Sequence, residues 1–161
     1  MIQLRMDLIN PTGDKGICLL YKDIKSLPYA NEDRRYYPMT RAQKNGLVNE
    51  ILSHSLYNDK YSVNYNYQLT ELGKSYFTTW PDVNHIGFCY GKLVVESIYN
   101  VNNLTVTYQF RIEQSPEWAY DLVQPYFKKP LNEPQTEVAK FGYNEQGELI
   151  SLTSNYNYYL K

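Results

Sequence analysis

The residues that could carry out nucleophilic chemistry in this chain are Cys89 and His85, four positions apart. A cysteine nucleophile needs a base within hydrogen-bonding reach and a third group that orients the base. Four positions would bring the two together on a helix, but Gly87 and its apolar neighbours favour a strand. We therefore expect Cys89 to be a core or disulfide-bonded cysteine, and we predict no catalytic residue and no enzyme activity.

Metal binding and acid–base catalysis have weak candidates. The two histidines, His54 and His85, have no Cys, His or carboxylate at ligand spacing. The segment Gly13–Gly16 lacks the spacing of either nucleotide-binding loop. Two carboxylate pairs lie at the edges of predicted elements, where solvated side chains are typical: Glu32 with Asp33, and Glu113 with Glu117. The sequence thus predicts neither a metal site nor a cofactor.

The two cysteines, Cys18 and Cys89, match no zinc spacing and leave two states open. In an oxidising compartment they could pair, and in the cytosol they would be free and buried. No run approaches the roughly 20 apolar residues of a membrane span. Charged residues interrupt the first twenty positions, so the sequence predicts either a cytoplasmic protein or one whose leader has been removed.

Composition bears on the kind of partner. The net charge is −1 and the pI is about 6.1, whereas nucleic-acid-binding domains usually carry a basic excess. Nucleic acid is therefore disfavoured. The chain has 18 Tyr against 5 Phe. Tyrosine suits strands with one face in water and also suits binding surfaces, and both interpretations stay open.

The length of 161 residues predicts a single domain over residues 1–161. Residues 1–38 give no clear pattern and are expected to be an irregular N-terminal segment. Beyond Thr40, a possible N-cap, apolar residues recur at helical spacing and predict a helix from Arg41 to Leu56, weakened by Gly46.

The rest of the chain alternates between strand and helix signals. Strict alternation predicts strands at Tyr61–Leu69 and Leu104–Ile112, and an apolar run predicts one at Phe88–Ile98. Thr70 caps a predicted helix through Phe77, and Pro116 begins another through Phe127. A C-terminal hairpin is predicted within residues 136–159, turning at Asn144–Gly147. The fold class is α+β, an antiparallel sheet of about five or six strands with three helices on one face.

One local resemblance concerns the run Tyr67–Lys74. It resembles the Tyr-x-Leu-Thr-x-x-Gly-[Lys/Arg] run that follows the wing in many bacterial winged-helix regulators. The resemblance implies that Leu69 anchors a wing strand, Thr70 caps the next helix and Gly73 permits close packing. It would also make the chain from Arg41 a winged-helix-like helix–strand–helix segment. A recognition helix would then use these polar residues: Arg41, Gln43, Lys44, Asn45 and Asn49.

A second resemblance covers more of the chain. Four motifs occur in one order: Leu69–Phe77, Gly87–Lys92, Val106–Tyr108 and Pro116–Ala119. This order is similar to a family of uncharacterised exported proteins and lipoproteins of Gram-negative bacteria, whose pattern is LTxxGKxYF…CYGK…VTYxY…PxWA. The resemblance implies an envelope location with a removed leader, and it offers no catalytic residues to carry over.

These observations predict a non-enzymatic binding protein of the bacterial envelope, an accessory, immunity or sensor partner of another protein. The candidate contacts are tyrosines of the predicted strands: Tyr61, Tyr65, Tyr67, Tyr156, Tyr158 and Tyr159. Two alternatives remain: a winged-helix-type transcriptional regulator or its sensory domain, and a binder of a small apolar ligand.

Overall fold

The computed structural model describes residues 16–21, 24–32, 34–80, 85–152 and 158–160. Within these ranges the helices are short and the strands dominate. In chain order the elements are β1 (Ile17–Tyr21), β2 (Tyr29–Glu32), α1 (Tyr37–Lys44), β3 (Val48–Tyr57), β4 (Lys60–Leu69), α2 (Glu71–Tyr76), β5 (Phe77–Trp80), β6 (His85–Asn102), β7 (Thr105–Glu113), α3 (Glu117–Leu122), a 3-10 helix (Gln124–Tyr126), β8 (Gln135–Tyr143), β9 (Leu149–Ser151) and β10 (Tyr158–Leu160).

The strands form two sheets. A seven-stranded sheet has the order β10-β1-β6-β7-β8-β9, with β5 paired to β6, and a three-stranded sheet has the order β2-β4-β3. The α+β class is thus confirmed, but the sheet of five or six strands was an underestimate. Strands β1 and β2 lie inside residues 1–38, where the sequence gives no clear pattern, and β3 lies where a helix was predicted.

By its internal contacts the chain divides into two compact units. The first unit contains residues up to Cys18 together with Cys89–Tyr158, and the second contains Leu19–Phe88 and Tyr159–Lys161. Strands β1 and β6 each contribute residues to both units. Among the described helices, none is long and apolar enough to cross a membrane.

In the second unit, a helix turns abruptly into a hairpin. Helix α1 ends at Lys44, and the chain reverses through Gly46 at φ +74°. The N–H of Gly46 then donates to the carbonyl of Gln43, and that of Leu47 to the carbonyl of Ala42, at 3.0 Å each. Glycine reaches this left-handed conformation without the strain that a Cβ would cause.

The predicted helix from Arg41 to Leu56 is therefore wrong beyond Lys44. Its predicted start is wrong as well, since α1 begins at Tyr37 and Thr40 lies inside it instead of capping it. Val48–Tyr57 is a strand that pairs along its whole length with β4. The apolar residues Val48, Leu52 and Leu56 are four apart, and that spacing fits one face of a helix and one face of a strand equally well. The winged-helix-like arrangement is not shown, because its expected helix is half strand.

The local roles expected of Thr70 and Gly73 are present. The hydroxyl of Thr70 accepts a hydrogen bond of 2.9 Å from the N–H of Gly73, which caps α2. A Cβ on Gly73 would lie 1.9 Å from the carbonyl oxygen of Leu47, so only glycine allows α2 this close to the start of the hairpin. The strand at Tyr61–Leu69 is also confirmed, as β4.

The first unit is organised around β6 and β7. Along β7 alternate residues are buried, and Val106, Tyr108, Phe110 and Ile112 form the inward set. The predicted helix from Pro116 to Phe127 is shorter than expected: α3 ends at Leu122, a 3-10 helix follows, and Pro116 is the N-cap.

The C-terminal hairpin is confirmed in its first part. Strand β8 pairs with β9 through Phe141, Gly142 and Tyr143, and Gly147 in the turn has φ +79°. The second arm ends earlier than predicted, since Tyr158–Leu160 is a separate strand beside β1.

Candidate functional site

The most distinctive surface of the second unit is the hairpin of β3 and β4, each ten residues long. Asn58 and Asp59 form its two-residue turn, with φ of 49° and 57°. Asn and Asp tolerate this conformation, and a turn of this kind matches the twist of paired strands. Strand β2 covers only Asn64–Tyr67 of β4. The half of the hairpin nearer the turn thus has no third strand among the described residues.

The two faces of this hairpin differ in chemistry. Because paired residues share a face and successive residues alternate, one face carries apolar and aromatic side chains and the other is mainly polar. We call the first the tyrosine face: Leu52, His54 and Leu56 on β3 with Tyr61, Val63 and Tyr65 on β4. We call the second the serine–asparagine face: Ile51, Ser53, Ser55 and Tyr57 with Lys60, Ser62, Asn64 and Asn66.

Near the turn, the tyrosine face is exposed. Leu56 is 70 % exposed and Tyr61 is 65 % exposed. The hydroxyl of Tyr61 lies 2.5 Å from Nδ1 of His54, and the two rings stack with centroids 5.5 Å apart. The stacked pair holds the phenol ring in one orientation before any partner arrives, which lowers the entropy cost of binding through it.

The serine–asparagine face is held by polar contacts between its own strands. The hydroxyls of Ser55 and Ser62 are 2.5 Å apart, and Nδ2 of Asn66 donates to the hydroxyl of Ser53 at 3.1 Å. Cross-strand pairs of this kind stabilise an isolated hairpin. The Ser55–Ser62 pair lies beyond the stretch of β4 that β2 covers, and it links the two strands of the hairpin there.

At its base, the tyrosine side of the sheet becomes buried. Tyr67 is fully buried, donates a hydrogen bond of 3.0 Å to Glu50 and accepts one of 3.2 Å from the N–H of Tyr36. Tyr29 stacks on its ring at 6.4 Å. Burial, which removes the water that would solvate a phenolate, raises the pKa of Tyr67 above its ordinary value of 10.

Arg35 supplies the positive charge at the edge of the tyrosine face. Its guanidinium lies 5.8 Å from the ring centroid of Tyr65 and its Nε lies 3.1 Å from Glu50. Arg35 is largely exposed whereas Glu50 is nearly buried. The ion pair therefore holds the guanidinium over the aromatic ring, an arrangement that favours cation–π attraction.

The sequence-predicted tyrosines thus fall into three groups. Tyr61 is exposed and Tyr65 half-buried, so both can be reached, whereas Tyr67 is buried and supports the sheet without offering a surface. Tyr158 and Tyr159 lie in β10, and Tyr156 lies outside the described residues. Sequence reasoning missed Leu52, His54, Leu56 and Arg35. The signal for the first three was their alternation ahead of Asn58-Asp59.

The other chemistry candidates are placed differently. Cys89 is bonded to Cys18 and carries no free thiol for His85 to activate. Of the two states that the sequence left open for these cysteines, the structure has the disulfide. Glu32 is exposed at the end of β2, and Asp33 lies outside the described residues. The described ranges contain no group of three or more His, Cys, Asp or Glu side chains able to hold a metal ion.

Glu113 belongs to a charged cluster on β6 and β7. The guanidinium of Arg111 pairs with Glu113, whose Oε1 lies 2.9 Å from Nε, and with Glu96 on β6. The hydrogen bond that Arg111 donates to Glu113 is the main cause that raises the pKa of Arg111 above its usual range. Glu117 is exposed in the first turn of α3. Of the two carboxylates Glu113 and Glu117, the first is therefore ion-paired with Arg111.

Comparison with protein-family models, with curated proteins and with solved structures gives no match to this chain.

Proposed function

We propose that the chain is a non-enzymatic binding protein whose tyrosine face contacts another protein. The observation that carries the proposal is the stack of Tyr61 on His54 beside Leu56, an exposed aromatic and apolar surface on the hairpin. Tyrosine and arginine are enriched among the residues that carry most of the binding energy at protein interfaces, whereas lysine and glutamate are depleted there.

Arg35 supports a protein partner over a small apolar ligand. The tyrosine face has aromatic and apolar side chains at its exposed end and a guanidinium at its edge. Protein interfaces combine an apolar centre with a polar rim, and arginine is enriched in them. Small apolar ligands prefer concave pockets that bury most of their surface, and an exposed hairpin face does not offer that.

We place this function in the bacterial envelope. The Cys18–Cys89 disulfide supports that location, since disulfides persist in oxidising compartments and are rare in the cytosol. Resemblance to exported Gram-negative proteins points the same way. A DNA-binding regulator remains the less favoured function: of its expected recognition residues, Asn49 lies in β3 and only Arg41, Gln43 and Lys44 lie in α1.

Site-specific photo-crosslinking in the native bacterium tests this proposal. A benzophenone side chain at Leu56 lies on the tyrosine face, whereas the same group at Ser55 lies on the opposite face of the same strand. We expect one defined product with a different envelope protein from position 56 and none from position 55. Equal products from both positions, or none from either, would contradict the proposal.

Affinity for the protein captured in this way is then measured with matched double variants. Leu56→Ala/Tyr61→Ala should raise the Kd at least about tenfold, since tyrosine is enriched among the few residues that carry most of such binding energy. Ser55→Thr/Ser62→Thr, which keeps both hydroxyls on the opposite face, should leave the Kd unchanged. All four residues lie outside the buried core and make only cross-strand surface contacts, so the free energy of unfolding should change by no more than about 1 kcal/mol per site.

A further inference from the structure

Among the described residues, the outer edge of β3 is an open strand edge. In the three-stranded sheet β3 is terminal, and no described strand pairs with its outer side. Tyr57 and Lys60 flank the two-residue turn, so they exchange both backbone hydrogen bonds. Because this pattern repeats at every second residue of an antiparallel pair, Ser55, Ser53 and Ile51 are bonded to β4 in the same way. The residues in between, Leu52, His54 and Leu56, direct their N–H and C=O groups outward.

This edge lacks the features that normally prevent strand addition. Exposed edges are usually protected by charged side chains, proline or a bulge. Ile51–Tyr57 contains no Lys, Arg, Asp, Glu, Pro or Gly, all seven residues are exposed, and its register with β4 is uninterrupted. The nearest charge on β3 itself, Glu50, is held by Arg35 and Tyr67. The outward backbone groups of Leu52, His54 and Leu56 are thus available to a partner strand.

The sequence of the edge indicates which strand fits. Ile51-Leu52-Ser53-His54-Ser55-Leu56-Tyr57 reads almost the same in both directions about His54. Two such strands placed antiparallel, with a two-fold axis at His54, set Leu52 opposite Leu56 and Ser53 opposite Ser55. Ile51 then lies opposite Tyr57, and His54 of one copy lies opposite His54 of the other. Every apolar residue faces an apolar one, and no charged groups meet.

The hydrogen-bonding pattern agrees with this register. In an antiparallel pair, residues that direct their backbone groups outward must meet residues that do the same. Pairing about His54 joins Leu52, His54 and Leu56 to Leu56, His54 and Leu52 of the second copy. These three pairs would supply about six backbone hydrogen bonds. A register displaced by one residue would set outward groups against groups already bonded to β4.

We propose that two copies of this chain associate along β3, in antiparallel register about His54, and join their three-stranded sheets into one of six strands. A two-fold interface of this kind uses the same surface on both copies. It occupies the edge of β3, whereas the proposed contact with another protein uses the tyrosine face, so either can fail without the other. The dimer would bring two tyrosine faces together on one side of the joined sheet.

Introducing a positive or a negative charge at position 54 tests the register directly. His54→Lys and His54→Glu each place like charges opposite one another, so each variant alone should raise the dimer dissociation constant at least tenfold in sedimentation velocity. An equimolar mixture should restore the dimer, because lysine then faces glutamate. Val63→Lys and Val63→Glu, on the inner strand directly across from His54, should leave the dimer intact.

Disulfide trapping is a second measurement that needs no change of charge. His54→Cys places two thiols next to each other at the two-fold axis. Ser55→Cys places each thiol opposite Ser53 of the second copy, so the two new thiols are too far apart to form a disulfide. We expect a covalent dimer from position 54 and not from position 55. A wild-type chain that stays monomeric at millimolar concentration would overturn the proposal. A dimer that neither His54→Lys nor His54→Glu weakens would also overturn it. The same holds if only a different protein, and not a second copy, binds the edge of β3.

Discussion

Tyr67 donates a hydrogen bond of 3.0 Å to the carboxylate of Glu50, its direct neighbour across β3 and β4. The same carboxylate receives Arg35 from the surface. One buried phenol thereby ties the base of the exposed hairpin to the segment before α1, whose Tyr36 N–H donates to the phenol oxygen. The stability of the fold, at neutral and at alkaline pH, should therefore depend on this contact.

Replacement Tyr67→Phe should destabilise the fold by about 1 to 3 kcal/mol. The ring remains, but Glu50 loses a donor and the N–H of Tyr36 loses its acceptor, and a buried polar group left without a partner costs this much. Urea denaturation measures the change. Tyr65→Phe is the matched control on the same strand face, and it should change stability by less than about 0.5 kcal/mol. Equal effects from both variants would contradict the assigned role.

Alkaline pH should remove the contribution of Tyr67 selectively. Its pKa is raised by burial above the value of about 10 that it has in the unfolded chain. The contribution of protonated Tyr67 to the free energy of unfolding is therefore complete below the pKa of the unfolded chain. It is lost as the pH rises through the higher pKa of the folded state, because the unfolded chain releases the proton first. The stability difference between the wild type and Tyr67→Phe should narrow above about pH 10. A difference that stays constant or widens would be the opposite result.

Two glycine-to-alanine changes should differ in cost. At Gly73 the new Cβ would meet the backbone oxygen of Leu47 at 1.9 Å, so α2 must move away from the hairpin. We expect a loss of about 2 to 3 kcal/mol or more. At Gly147 the φ of +79° is strained for alanine, but nothing lies within 4 Å, and the cost should be about 1 kcal/mol. Thermal unfolding ranks the two variants, and the reverse order would contradict this account of Gly73.

Removal of the Cys18–Cys89 disulfide should lower stability substantially. The bond joins residues 71 positions apart, and the chain-entropy model gives about 4 kcal/mol for a loop of this length. Cys18→Ala/Cys89→Ala should unfold at lower denaturant concentration than the oxidised wild type. The reduced wild type should behave like the double variant, and a reducing agent should not affect the variant. Equal stability of the oxidised and reduced wild type would refute the prediction.

Local signals in the sequence located several elements correctly. The alternation from Tyr61 to Leu69 predicted β4, and Thr70 followed by Glu71 predicted the start of α2. The alternation from Leu104 to Ile112 likewise predicted β7. In each case the deciding interaction lies within a few residues, either as a capping hydrogen bond or as a repeat of two along one strand.

The position of β3 could not be decided in this way. Val48, Leu52 and Leu56 fit a helix and a strand equally, and the choice depends on pairing with β4 and on the left-handed turn at Gly46. The candidate site moved with that choice. As a helix the segment would have directed these apolar residues into a core, and as a strand it leaves Leu52 and Leu56 exposed beside Tyr61.

The amino-acid sequence by itself determined the α+β class, the alternation of β4 and the tyrosine content of the chain. Only the tertiary structure decided that Cys18 bonds Cys89, that Tyr67 is buried, and that Tyr61 is exposed. Tyr61 and Tyr67 occupy equivalent positions in one alternating strand, and the short strand β2 covers only one of them. Burial depends on which distant segment packs against a residue, and periodicity along one strand carries no information about that segment.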